Sequence, residues 1–277
     1  MRRALLVLAA MLALSGCRAV PCAGPEVCGY ATPLGRYFAA LPETTEGAPI
    51  LILLHGAGGS GAGVLGVGDV AATATARGYA VLAPDALPWG DGRRGGLWSF
   101  LPDEQRPRAR DEGAFLTGVA EDAAERWGLD PDAVLLAGFS AGGFMVSYLA
   151  CEEPGRFAAY APVAGGFWRP QPDACAGPVR LLHTHGLSDR IVPIEGRPLV
   201  GGRYLQGDIF EGMALWRAAN GCAAPDPDGY VETGQFMRRR WDCAPGSALE
   251  MALYPGGHRV PEGWTAMALD WFEGLPG

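Results

Sequence analysis

The segment Gly138-Phe139-Ser140-Ala141-Gly142 constrains this chain more than any other. It follows an apolar run, Ala133-Val134-Leu135-Leu136-Ala137, and precedes a helix-like stretch, so it reads as strand, sharp turn and helix with a serine at the tip. Such a turn needs small residues at both ends because it is strained and closely packed. The helix that follows presents amide donors and a favourable dipole to developing negative charge. Glycine makes up 42 of the 277 residues, so the five-residue pattern is weak by itself. Chain order gives it weight: after Ser140 comes Asp189, in His185-Gly186-Leu187-Ser188-Asp189, and then His258, in Pro255-Gly256-Gly257-His258.

Nucleophilic catalysis by serine needs a base within hydrogen-bond reach of the hydroxyl and an acid that fixes the base's tautomer. Of the four histidines, His55, His183, His185 and His258, only the last lies downstream of Asp189. Elimination assigns Ser140 as nucleophile, His258 as base and Asp189 as the residue that orients it. Serine, acid, histidine is the α/β-hydrolase order.

Upstream, the run Pro49-Ile50-Leu51-Ile52-Leu53-Leu54 ends in His55-Gly56-Ala57-Gly58-Gly59, as an early strand feeding a glycine-rich loop would. This is the expected oxyanion loop, with the N–H of Ala57 joining that of Ala141. A phosphate-binding loop is the competing reading, but no Gly-Lys-Ser/Thr follows, and all 22 basic residues of the chain are arginine. The absence of lysine also excludes a Schiff base to pyridoxal phosphate and a Ser-x-x-Lys acyltransferase. His183 and His185 alternate on a strand near Asp189 and could face a zinc ion together. A catalytic metal would want a third protein ligand, so the expected role of both is to position the acid loop, with no metal or organic cofactor.

At the N-terminus, Arg2 and Arg3 precede an apolar stretch from Ala4 to Leu14, a secretory signal too short to span a bilayer comfortably. The sequence Leu14-Ser15-Gly16-Cys17 resembles the bacterial lipobox, which makes Cys17 a lipid anchor and the mature first residue; cleavage of an ordinary signal peptide is the alternative. Six cysteines remain: Cys22, Cys28, Cys151, Cys175, Cys222 and Cys243. They allow fifteen pairings. Sequential pairing closes short loops and gives 22–28, 151–175 and 222–243, in keeping with an oxidising compartment. The formal net charge of −8, less the two positive charges of Arg2 and Arg3, is −10 for the mature chain. An acidic protein has no basic footprint for nucleic acid, and Arg238-Arg239-Arg240 reads as a solvated strand or loop face.

Strand-like runs recur at 50–54, 79–83, 133–139, 158–163, 179–185 and 249–254, separated by candidate helices near 62–78, 111–127, 141–152, 208–220 and 263–273. Such alternation predicts an α/β fold, a mainly parallel central sheet with helices on both faces. The organisation is a signal peptide over 1–16, an N-terminal segment over 17–40 and one catalytic domain over 41–277. The segments 84–110 and 223–234 read as loops over the sheet. Trp98 and Trp168, in loops that follow strands, are candidate substrate contacts.

The chain resembles the secreted esterase family that includes polyhydroxybutyrate depolymerases, feruloyl esterases and acetylxylan esterases. The matching segments include Leu54-His55-Gly56, Ala83-Pro84-Asp85, Asp111-Glu112-Gly113-Ala114-Phe115, Gly138 through Gly143, Leu149-Ala150-Cys151 and Phe157 through Gly165. They continue with His185 through Pro193, Asn220-Gly221-Cys222, Trp241-Asp242-Cys243 and Gly256-Gly257-His258. The resemblance implies an α/β-hydrolase fold, a serine ester hydrolase with the same triad, and bonds at 151–175 and 222–243. One departure stands out: the family often follows its catalytic histidine with threonine, tryptophan and proline, where this chain has Arg259-Val260-Pro261. The expectation is an exported, monomeric esterase that touches the membrane only through its lipid anchor and cleaves hydroxyalkanoate oligomers or small esters. The alternatives are action on feruloyl or acetylxylan esters, a serine peptidase of the same fold, or a catalytically silent binding lipoprotein.

Overall fold

The computed structural model describes residues 28–89, 94–100 and 109–275. The signal segment, Cys17 and Cys22 lie outside the described residues, and with Cys22 the expected 22–28 bond.

In chain order the elements begin with β1 (Cys28–Thr32), β2 (Gly35–Ala40), β3 (Ile50–Leu54), α1 (Gly61–Leu65), α2 (Val70–Ala76) and β4 (Ala80–Pro84). There follow the short β5 (Leu87–Pro88) and β6 (Gly96–Leu97), then α3 (Glu112–Trp127), β7 (Val134–Phe139), α4 (Ala141–Glu152), β8 (Ala159–Val163) and β9 (Arg180–Gly186). The chain continues through the short β10 (Pro198–Leu199) and β11 (Tyr204–Leu205) into α5 (Ile209–Ala219). It closes with β12 (Gly229–Thr233), β13 (Phe236–Trp241), β14 (Ala248–Tyr254) and α6 (Trp264–Glu273). Ten strands form one sheet in the order β1-β2-β4-β3-β7-β8-β9-β14-β13-β12. The pairings from β4 through β3, β7, β8 and β9 to β14 are parallel, and both rims are antiparallel.

Continuous apolar runs form the centre because both faces of the sheet are covered. Within β3, Ile50, Ile52 and Leu54 face one core layer and Leu51 and Leu53 the other. The first layer takes α3, α4 and α5 through residues such as Phe115, Phe144 and Trp216, and the second takes α1, α2 and α6 through Val64, Ala74 and Trp264. Helix α3 starts where expected because the Asp111 carboxylate accepts from the Ala114 amide, and it stops at Gly128 in a left-handed conformation (φ 71°).

Three sequence expectations are corrected. The helix over 62–78 is two short helices, since the chain turns through Gly66-Val67-Gly68 with Gly68 left-handed (φ 58°). Part of the loop over 223–234 is the edge strand β12, paired with β13, which carries Arg238, Arg239 and Arg240. The N-terminal segment set apart over 17–40 contributes the hairpin β1–β2, and β2 extends the central sheet through β4. The loops that leave the C-terminal ends of β3, β7, β9 and β14 converge at one edge of the sheet, the edge where parallel α/β sheets hold ligands.

Candidate active site

Ser140 sits between β7 and α4 with φ 56° and ψ −118°, a backbone conformation that costs a non-glycine residue about 1–3 kcal/mol. The flanking glycines make this turn possible by close approach. A Cβ on Gly138 would lie 2.5 Å from the Gly142 backbone, and one on Gly142 would lie 2.4 Å from the Leu54 carbonyl oxygen. The turn is held further by the Ser140 amide, which donates to the Val163 carbonyl at 2.9 Å.

The three residues singled out by chain order meet here. Ser140 Oγ lies 2.8 Å from His258 Nε2, and His258 Nδ1 lies 2.7 Å from Asp189 Oδ2. Nδ1–H donates to the carboxylate, which leaves Nε2 to accept the serine proton. Asp189 Oδ1 accepts from the amides of Ile191 and Val192 at 2.8 and 2.9 Å. Burial would raise the pKa of Asp189, but its bonds from His258 and those two amides outweigh it and hold the carboxyl below its usual range.

Backbone bonds tie the acid loop to the base loop. The Leu187 amide donates to the Tyr254 carbonyl and the Ser188 amide to the Gly256 carbonyl, each at 2.9 Å. His185 anchors the far side: Nε2–H donates to the Val192 carbonyl at 2.7 Å, and Nδ1 accepts from His183 Nε2 at 3.1 Å in a parallel ring stack. Burial lowers the pKa of both rings, so they stand neutral. They position the acid loop, as the sequence suggested. Among the described residues no cluster of three or more His, Cys, Asp or Glu could hold a metal ion.

The loop after β3 is clamped from outside. Gly58 donates to the Gly96 carbonyl at 2.9 Å, and the Gly96 amide donates to the Gly59 carbonyl at 3.1 Å. His55 is buried beneath it; Nε2 accepts from the Ala86 amide, so Nδ1 carries the proton and donates to the Gly56 carbonyl at 2.7 Å. Gly56 comes so close to the nucleophile that a Cβ there would lie 3.2 Å from Ser140 Cβ. Ala57 follows it at the exposed tip of this loop, and Ala141 opens α4, where the first amides have no partner within the helix.

No protein-family model matches the chain. NocK of Nocardia uniformis subsp. tsuyamanensis, an esterase by name, is 32% identical over 158 residues, which is 56% of this chain and 44% of that protein. Feruloyl esterase C of Emericella nidulans is 26% identical over 149 residues, 52% of this chain and 49% of that protein. The chain thus spans about half the length of the curated relatives it matches. Among solved structures, the acetyl xylan esterase from Aspergillus awamori has a TM-score of 0.65 at 15% identity, covering 90% of this chain and 99% of that one. The carboxylesterase from Mesorhizobium loti has a TM-score of 0.54 at 18% identity, covering 90% and 99%.

The fold is that of the α/β-hydrolases.

Within this fold the two tryptophans expected at the substrate take other places. Trp98 is 1% exposed, and its indole N–H donates to the His55 carbonyl at 2.8 Å, so it supports the glycine loop from below. The segment that carries it is held in turn by Glu112, which accepts from the Ser99 amide at 3.0 Å and pairs with Arg110 in a buried ion pair. Trp168 is buried in an aromatic stack with Phe100 and Phe144. An indole is large enough for the core to claim it wherever a loop crosses a helix face.

Two residues at the site escaped the sequence reading. Phe139, beside the nucleophile, lies with its ring centroid 4.8 Å from that of His258 and supplies the aromatic wall that Arg259-Val260-Pro261 does not. The Tyr254 hydroxyl lies 2.6 Å from the Gly257 carbonyl and 2.8 Å from the Arg259 carbonyl, the two residues that flank His258. A tyrosine closing a buried strand carries no signal of this reach. The bonds 151–175 and 222–243 are present as expected; the first fastens the end of α4, the second the segment after α5 to the end of β13.

Proposed function

We propose that this protein is a carboxylic-ester hydrolase that works through a covalent acyl-enzyme. The observation that carries this reading is the unbroken hydrogen-bonded chain from Asp189 through His258 to Ser140, at the tip of a strained turn. Ser140 Oγ attacks the ester carbonyl carbon as its proton passes to His258 Nε2. The amides of Ala57 and Ala141 donate to the resulting oxyanion, each worth about 3–4 kcal/mol in comparable sites. The C–O bond to the alcohol then breaks and the alcohol leaves with the proton from His258. Water, deprotonated by the same nitrogen, attacks the acyl carbon, releases the acid and restores the serine. Asp189, a carboxylate throughout, stabilises the imidazolium that forms twice in the cycle.

The names of the relatives, feruloyl esterase and acetyl xylan esterase, favour acyl groups carried on plant cell-wall polysaccharide over hydroxyalkanoate oligomers. The two disulfides support action outside the reducing cytoplasm, with Cys17 as the proposed lipid anchor. The test is parallel incubation of the protein and its Ser140→Ala variant with a feruloyl ester, acetylated xylo-oligosaccharides and 3-hydroxybutyrate oligomers, with chromatographic measurement of released acid. Release of ferulate or acetate, absent in the variant, is expected. Hydroxybutyrate alone would reverse the substrate assignment, and no release together with no labelling of Ser140 by a fluorophosphonate would overturn the activity itself.

A further inference from the structure

Beside the nucleophile, on the α1 side of the glycine loop, lies a cleft of about 560 Å³ bounded by Gly56, Ala57, Gly58, Val67, Phe139 and Arg94. Its floor is largely main chain, so few side chains can select what enters. Those that could are occupied. Both ring nitrogens of His55 are hydrogen-bonded, and Ser60 Oγ accepts from the Gly63 amide at 3.1 Å as the cap of α1. Asp85, behind the loop, is bound to the Gly61 amide and to Arg36. Arg94 is different: it is exposed, and among the described residues no carboxylate pairs with it.

Its backbone is fixed relative to the chemistry. Gly95, left-handed at φ 77°, packs so tightly that a Cβ would fall 2.0 Å from the Gly58 carbonyl oxygen, and Gly96 makes the two bonds that clamp Gly58 and Gly59. The Arg94 backbone is therefore held two residues from Gly96, whose bonds clamp the loop that faces the reacting carbonyl. Both neighbours in that clamp are glycines because nothing larger allows the approach.

On the basis of the esterase reading, we infer that Arg94 selects esters bearing a carboxylate on the portion that lies in this cleft. A planar guanidinium suits a carboxylate in bidentate contact, and among the described residues that line the cleft Arg94 carries the only charged side chain, which directs an anion to it. The acid part and the alcohol part of the ester can each supply the charge, and two matched pairs separate them. The mono-4-nitrophenyl ester of glutaric acid is compared with 4-nitrophenyl valerate, and 4-carboxyphenyl butyrate with its methyl ester.

The quantity read is the ratio of kcat/KM for the charged ester to that for its neutral partner, in the wild type and in Arg94→Gln. The variant is expected to lower the ratio about threefold to tenfold in one pair, the range of a solvent-facing charged hydrogen bond. Arg94→Lys is expected to restore part of it, and 0.5 M salt to shrink the wild-type preference. Ratios unchanged within twofold in both pairs, with the neutral esters still cleaved, would overturn the inference and leave the esterase reading standing. If no ester is cleaved, titration calorimetry of Ser140→Ala with 4-carboxyphenyl butyrate, with and without Arg94→Gln, decides: loss of binding supports the inference and equal binding overturns it.

Discussion

Replacing Tyr254 by phenylalanine removes one oxygen and tests how the base is held. That hydroxyl bridges the carbonyls on either side of His258, at 2.6 and 2.8 Å, from a ring wholly inside the second core layer. Burial pushes its pKa up to about 12, so it remains a donor at any working pH. One phenolic proton serves one carbonyl at a time. The variant therefore loses about 1 kcal/mol for the bond itself, and about 1 kcal/mol more where a carbonyl is left without a donor. Were that 1–2 kcal/mol drawn from the population of the loop that holds His258 against Ser140, kcat would fall about 5-fold to 30-fold, at 1.36 kcal/mol per decade. KM for a small ester should change little, because the substrate does not touch this ring. The assay is steady-state hydrolysis of 4-nitrophenyl acetate at 20 °C, beside a melting curve of each protein. A lower Tm with kcat within twofold of wild type would refute the reasoning and leave Tyr254 a core residue only.

Two other expectations follow from the same structure. His55, His183 and His185 are buried with pKa values below the ordinary 6.5, so under mild acid the unfolded chain binds protons that the folded chain refuses. Stability present above pH 6.5 should drain away as pH falls below it, whereas the contribution of Asp189, whose pKa is lowered, should last until pH drops through that lowered value; a Tm that is flat from pH 7.5 to 5 would contradict the neutral burial of the histidines. Removing the Cys222–Cys243 bond, whose partners stand 21 residues apart, should cost about 3 kcal/mol by chain entropy and lower Tm by about 6–12 °C. Equal melting curves for wild type and Cys222→Ala/Cys243→Ala would exclude that contribution.

The sequence by itself determined the parallel core of the sheet and the order of the three site residues. Runs such as Leu51 to Leu54 and Val134 to Ala137 are apolar at every position because both faces of a central strand are buried, and this pattern is local. Gly138 and Gly142 around Ser140 are equally local, since the turn demands them over five residues. Elimination found His258 only because histidine is scarce. The rims were less legible: β1, β2 and β12 are half exposed, carry polar residues, and acquire their strand form from pairing with distant partners. Tertiary structure alone decided which aromatic residues line the cleft and which hold up the loops. Trp98 and Trp168 have the composition of a binding wall, yet burial claims both, while Phe139 and Arg94 reach the cleft because the loops after β3 and β7 and the segment after β5 meet there. Periodicity records which face of an element is covered; it holds no record of which loops from remote parts of the chain come to lie against one another. That depends on the summed packing of the whole core.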